Sequence, residues 1–250
     1  MSPQMVRAAA AGLLSAFLGA SPAAAIVGGS EDPSPLAAST AMVLSSRGGL
    51  CSGIVVAPDA ILTAAHCLAG ADARVHWQEA GRPVLIEPAS VALHPGYDPK
   101  GIAARRRSTD LALVGLSAPL PARFRPATLS TASVPADTPI LVGGYGVARE
   151  GDARSTGTFR TAALRSIEPF GPSRILLWMG DPEARGRSPC TGDSGGPAAT
   201  ADGAIVAVVT WTTGAGRGAC GGRSQAVLVG PERSWIDRTL AGWSTRAAWR

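Results

Sequence analysis

Short runs of apolar, often β-branched residues recur at 41–44, 53–57, 84–86, 111–116, 140–142, 175–178, 205–211 and 226–229. Gly, Pro, Ser or Asp punctuates the intervals between them, so the runs predict β-strands separated by turns. One helix is expected near the C-terminal end. Pro231 suits a first turn, and Trp235, Ile236, Leu240 and Trp243 approximate a helical stripe beyond it. Residues 117–139 carry several prolines and little apolar rhythm, and read as a connection between two halves. No unit of ~20–50 residues repeats, which excludes solenoids and propellers. The pattern alone predicts an all-β chain with a C-terminal helix.

The N-terminal 25 residues break this pattern. Arg7 supplies one positive charge, residues 8–20 are apolar apart from Ser15, and Ala23-Ala24-Ala25 offers small residues to a signal peptidase. Residues 1–25 are therefore read as a secretory signal, too short to span a membrane, and no later apolar run reaches spanning length. The mature protein is expected to be soluble and exported, extracellular or periplasmic, with no membrane association after cleavage.

Composition narrows the partners. The 250 residues allow one or two domains with a real core. With 31 Gly and 20 Pro a helical bundle is excluded, and 46% hydrophobic against 16% charged residues excludes disorder. The formal charge is +5, yet Lys100 is the only lysine and the arginines scatter, apart from Arg105-Arg106-Arg107, which reads as a solvated loop. No nucleic-acid partner is expected. Cys51, Cys67, Cys190 and Cys220 suit an oxidising compartment and lack CxxC spacing, and the chain has no HExxH, so no metal is expected. Two disulfides are expected, in one of three pairings. The acids at 72–87 are too few to assert a calcium site, and His76 and His94 read as satisfied or surface histidines.

Three stretches carry chemistry: Thr63-Ala64-Ala65-His66-Cys67, Thr109-Asp110-Leu111-Ala112-Leu113 and Thr191-Gly192-Asp193-Ser194-Gly195-Gly196-Pro197. An unassisted serine hydroxyl is a poor nucleophile at neutral pH. It needs a base to take its proton, and the base needs a carboxylate to fix its tautomer. Glycines around Ser194 permit a tight turn whose N–H groups converge on one point.

These stretches, with Ile26-Val27-Gly28-Gly29, Cys51-Ser52-Gly53, Leu93-His94-Pro95-Gly96-Tyr97-Asp98, Gly144-Tyr145-Gly146 and Val209-Thr210-Trp211, resemble the secreted chymotrypsin/trypsin-like serine proteases in order and spacing. The resemblance covers essentially the whole chain after residue 25. It implies two packed six-stranded antiparallel Greek-key β-barrels with a C-terminal α-helix, the first over 26–133 and the second over 134–250. It implies Ser194 as nucleophile, His66 as general base and then acid, Asp110 as orienting carboxylate, and the N–H groups of Gly192 and Ser194 as oxyanion hole. Cys51 would pair with Cys67 and Cys190 with Cys220. The third bridge many relatives carry in the second barrel has no cysteines here, which leaves the loop at 165–183 unbraced by sulfur. A freed Ile26 amine would pair with Asp193. Ala25 abuts Ile26, so export and activation become one cut; a cut after Ala20 would instead leave a five-residue propeptide.

The resemblance also places a specificity pocket, with Ser188 at its base, Thr210, Trp211 and Thr212 along one wall and Ala226 on the other. Ser188 cannot neutralise Arg or Lys, and side chains on the walls narrow the slot. The expected activity is a cofactor-free, monomeric endopeptidase acting on proteins or peptides after small or medium apolar residues. Protein protease inhibitors are the further partners the family implies. Alternatives are a chymotrypsin-like slot for aromatics and a catalytically silent binding module. An α/β-hydrolase esterase satisfies GxSxG around Ser194 but requires the order Ser, acid, His; here the order is His66, Asp110, Ser194.

Overall fold

The computed structural model describes residues 26–31, 34–46, 48–70, 72–101, 104 and 106–250. The expected signal at 1–25 and Arg105 of the arginine run lie outside the described residues. Two antiparallel sheets dominate. In the second, Pro139–Gly144, Arg160–Ile167, Leu176–Gly180, Gly221–Leu228, Ile205–Gly214 and Pro197–Thr200 pair in that order, and Pro197–Thr200 returns to Pro139–Gly144. That ring is a closed six-stranded barrel.

The first sheet runs Arg82–Ile86, Ala73–Glu79, Thr40–Ser45, Leu50–Ala57, Ala60–Thr63, Ala112–Gly115 and Ser90–Leu93, and its two outer strands do not pair with each other. This corrects the expectation of a second closed six-stranded barrel: the first half is an open, seven-stranded half-barrel. Pro83 within one edge strand, and Pro88 just beyond it, offer no N–H to a closing ladder, and that edge is largely exposed. Ser30–Glu31 precedes the first sheet in sequence yet pairs with Arg160–Thr161 of the second barrel.

Alternation along each strand feeds two cores at once. Leu111 and Leu113 face the interface between the sheets, while Ala112 and Val114 face the interior of the first. Ile54 and Val56 divide from Val55 in the same way, which is why these strands read as continuous apolar runs. The C-terminal helix, Arg233–Gly242, buries Ile236 and Leu240 in the same interface. A short 3-10 turn, Gly230–Glu232, holds Pro231 just ahead of it. Among the described residues no helix is long and apolar enough to cross a membrane.

Both disulfides form as the resemblance implied, Cys51–Cys67 and Cys190–Cys220. Trp178 packs edge-to-face between Phe170, at 5.4 Å, and Trp211, at 6.4 Å.

Candidate active site

His66 lies in the single 3-10 turn Ala65–Cys67 at the end of strand Ala60–Thr63, and the disulfide at Cys67 anchors that turn to strand Leu50–Ala57. Asp110 precedes strand Ala112–Gly115, which pairs with Ala60–Thr63 and so brings the two residues together. The His66 backbone N–H donates to Asp110 Oδ1 at 2.9 Å, and Nδ1 lies 2.6 Å from Oδ2. Asp110 is 7% exposed, so the pair is strongly oriented. With the Nδ1–H donating to the Asp110 carboxylate, Nε2 carries the lone pair that a general base requires.

Ser194 comes from the second barrel and shares a cleft of about 220 Å³ with His66, lined also by Pro189, Cys190, Thr191, Val209, Thr210, Trp211, Thr212, Ala219 and Cys220. Among the described residues no direct Ser194–His66 hydrogen bond is formed; Nε2 lies 3.7 Å from Cys67 Sγ. Unliganded catalytic pairs commonly stand loose and tighten on substrate.

The turn that presents Ser194 is built by close approach. Gly192 has φ +97°, and a Cβ there would stand 2.7 Å from Gly146 Cα. A Cβ on Gly195 would collide with the Ser52 carbonyl and the Thr63 hydroxyl. The N–H groups of Asp193, Gly195 and Gly196 donate to Cys190, Val209 and Asp193 carbonyls. Those of Gly192 and Ser194 donate to nothing among the described residues, which leaves two N–H groups of this turn without an acceptor.

Ser52 is a positioning residue that the motif reading quoted without a role. Its N–H donates to the Ser194 carbonyl at 2.8 Å and its hydroxyl to the Gly192 carbonyl at 3.0 Å. The same hydroxyl accepts from Tyr145 N–H at 3.0 Å. One buried side chain of the first sheet thus staples the nucleophile turn of the second barrel.

Asp193 is fully buried, and its two oxygens accept from the N–H groups of Gly146 and Cys190 at 2.8 and 2.9 Å. Burial pushes its carboxyl up to about 7, against the pull of those two N–H groups and of Arg160. Ile26, the other member of the implied activation pair, is fully buried in the core of the second barrel, and Val27 bridges to Ser188.

Thr210, Trp211 and Thr212 line the cleft that holds Ser194. Ser188 and Ala226 do not. Ser188 is fully buried behind the cleft wall; its hydroxyl donates to the Pro189 carbonyl at 2.9 Å and accepts from Gly221 N–H at 2.7 Å. Ala226 is corrected from pocket wall to core: it pairs with Val209 and Leu177 and packs among the buried residues of the second barrel. The residue opposite Thr212 is Ser224, two positions earlier on the same face, fully buried and with an unpartnered hydroxyl. Sequence could not fix that register through Gly221-Gly222.

The other candidates settle elsewhere. His76 Nδ1 donates to the Val84 carbonyl at 2.8 Å, and His94 Nε2 lies 2.9 Å from Glu232 Oε2. Arg106 pairs with Asp98. The one cluster of metal-type ligands among the described residues, Cys51, His66 and Cys67, has both sulfurs joined in a disulfide, so no thiolate is left to bind an ion.

The chain is similar in family and fold to known proteins. The Trypsin family model matches residues 26–229. Serine protease 56 of Mus musculus is 29% identical over 249 residues, covering 88% of this chain but only 40% of that longer protein. Hypodermin-B of Hypoderma lineatum is 30% identical over 215 residues, covering 76% of this chain and 78% of its own. Among solved structures, mouse neuropsin superposes with a TM-score of 0.70 at 22% identity over 86% of this chain and 99% of that one. Human heparin binding protein gives 0.70 at 24% identity, over 84% and 95%.

Proposed function

Because this chain belongs to the trypsin family of serine proteases, we propose that it is an exported endopeptidase that cleaves protein or peptide substrates through an acyl-enzyme. The observation that carries this reading is the His66–Asp110 pair facing Ser194 across a cleft that also holds two unspent N–H groups. Ser194 Oγ attacks the scissile carbonyl as His66 Nε2 takes its proton, and the tetrahedral oxyanion receives the Gly192 and Ser194 N–H groups. His66 then gives the proton to the leaving amine. Water, deprotonated by the same nitrogen, attacks the ester and frees Ser194. A signal cut after Ala25 would free the Ile26 amine to meet Asp193.

The lining of the cleft beside Ser194 contains no carboxylate. A buried guanidinium or ammonium there would go uncompensated, which disfavours Arg and Lys at the cleaved position. Thr212 on the wall, opposite Ser224, narrows the slot toward small or medium apolar side chains. The direct test is labelling of the purified protein by a serine-directed sulfonyl fluoride. Stoichiometric modification of Ser194 with loss of peptide hydrolysis supports the reading; absence of labelling in the form beginning at Ile26 assigns a silent module instead.

A further inference from the structure

Asp193 is held by two neutral N–H groups, and a fully buried carboxylate with only such partners lacks a counter-charge. The strands around it supply one. Arg160 stands directly opposite Gly144 in the antiparallel ladder between Pro139–Gly144 and Arg160–Ile167. Opposed residues project to the same face of a sheet. A Cβ on Gly144 would run into Asp193 Oδ1, so the face Arg160 shares with it is the face Asp193 occupies. Arg160 is 6% exposed, and its Nε is buried with no partner. The rest of its guanidinium is weakly engaged: Nη2 lies 3.1 Å from Glu31 Oε1, on a side chain 66% exposed, and Nη1 lies 3.5 Å from the Thr158 carbonyl. A buried arginine with unspent donors is costly unless a nearby anion uses its charge.

We propose that Arg160 is a positioning residue, a counter-cation built into the second barrel that offsets part of the cost of ionising Asp193 and keeps the oxyanion turn formed before Ile26 carries a free amine. The inference rests on the protease reading for its consequence: the maturation cut then adds a second cation to a turn already assembled, and precursor and mature forms differ in degree. Glu31 competes for the same guanidinium. It lies five residues after Ile26 and pairs with Arg160 in register, so the N-terminal strand sets how much of that charge Asp193 receives.

The experiment follows amide exchange of the 188–196 segment by mass spectrometry. It uses a Ser194→Ala background and two forms, one beginning at Ile26 and one retaining residues 21–25. With Arg160 intact, both forms should protect the segment, the Ile26 form more strongly. Arg160→Gln should speed exchange about tenfold or more in the extended form and leave the Ile26 form near its original rate. Arg160→Lys should restore protection, and Glu31→Gln should increase it, neither of which a purely steric role provides. The proposal is overturned if the extended form is unprotected with Arg160 intact, or if Arg160→Gln acts equally on both forms or on neither. Should Arg160→Gln fail to fold, the Lys and Glu31 variants decide in the same way. Exchange requires no turnover, so an inactive Ile26 form with Ser194 restored would count against the protease reading alone.

Discussion

At the scale of single residues, the chemistry reduces to where one proton can go. Asp110 accepts from both the backbone N–H and Nδ1 of His66, so the imidazole can neither rotate nor change tautomer without breaking a short, shielded contact. Ser194→Ala and His66→Ala should each lower peptide hydrolysis by about three to six orders of magnitude, with the urea unfolding midpoint unchanged. Turnover near that of the parent in purified Ser194→Ala would remove the mechanism. Specificity also belongs to this scale. Thr212→Gly should open the slot and raise kcat/KM for Phe and Tyr substrates relative to Ala, Val and Leu by about tenfold. A substrate profile in which Arg leads by that factor would refute the neutral pocket.

At the scale of elements, the nucleophile turn owes its shape to neighbours from both halves. Strand Leu50–Ala57 brings Ser52 beneath it, and Pro139–Gly144 with Gly146 leaves room for Asp193. Ser52→Ala would strand the Tyr145 N–H and the Gly192 carbonyl in a buried site, at a cost of about 1–3 kcal/mol. Urea titration should read that loss. A kcat reduced at constant KM would show that the turn, and not the substrate cleft, has loosened. The motif around Ser52 was legible in the chain, but its hydroxyl's task was not, because its partners lie about a hundred residues away or more. Strands also differ in legibility. Arg160–Ile167 and Ala73–Glu79 carry charged residues that interrupt any apolar run, yet each pairs on both edges. Only the finished ladders reveal them.

At the scale of the whole molecule, two aspartates with opposite shifts set opposite responses to pH. Burial opposes the ionisation of Asp181, but Arg187 and the N–H groups of Glu183, Arg185 and Arg187 hold its carboxyl well below the usual carboxylate range. Its stabilisation is therefore present above the unfolded carboxylate pKa and lost as pH falls below it. Asp193 is raised to about 7, so with Ile26 still in peptide linkage its contribution is full below the unfolded pKa and declines as pH rises toward and through 7. The form retaining residues 21–25 should lose stability between about pH 4 and 7 in urea titrations, and the form beginning at Ile26 should not. Equal slopes for the two forms would show that the amine never reaches Asp193. The all-β class, the C-terminal helix and the candidate site residues could be read from the chain alone, because each depends on residue type at close spacing or on periodicity, whereas the two-sheet architecture was implied by resemblance. The cysteines could be counted there, and their pairing was implied by resemblance. What tertiary structure decided was register and company: Ser224 in place of Ala226 opposite Thr212, Ser52 under the turn, Arg160 on the face of Asp193, and an open first sheet. Such features arise from pairings between distant strands, where a shift of one residue turns a wall into a core, and no local pattern encodes that choice.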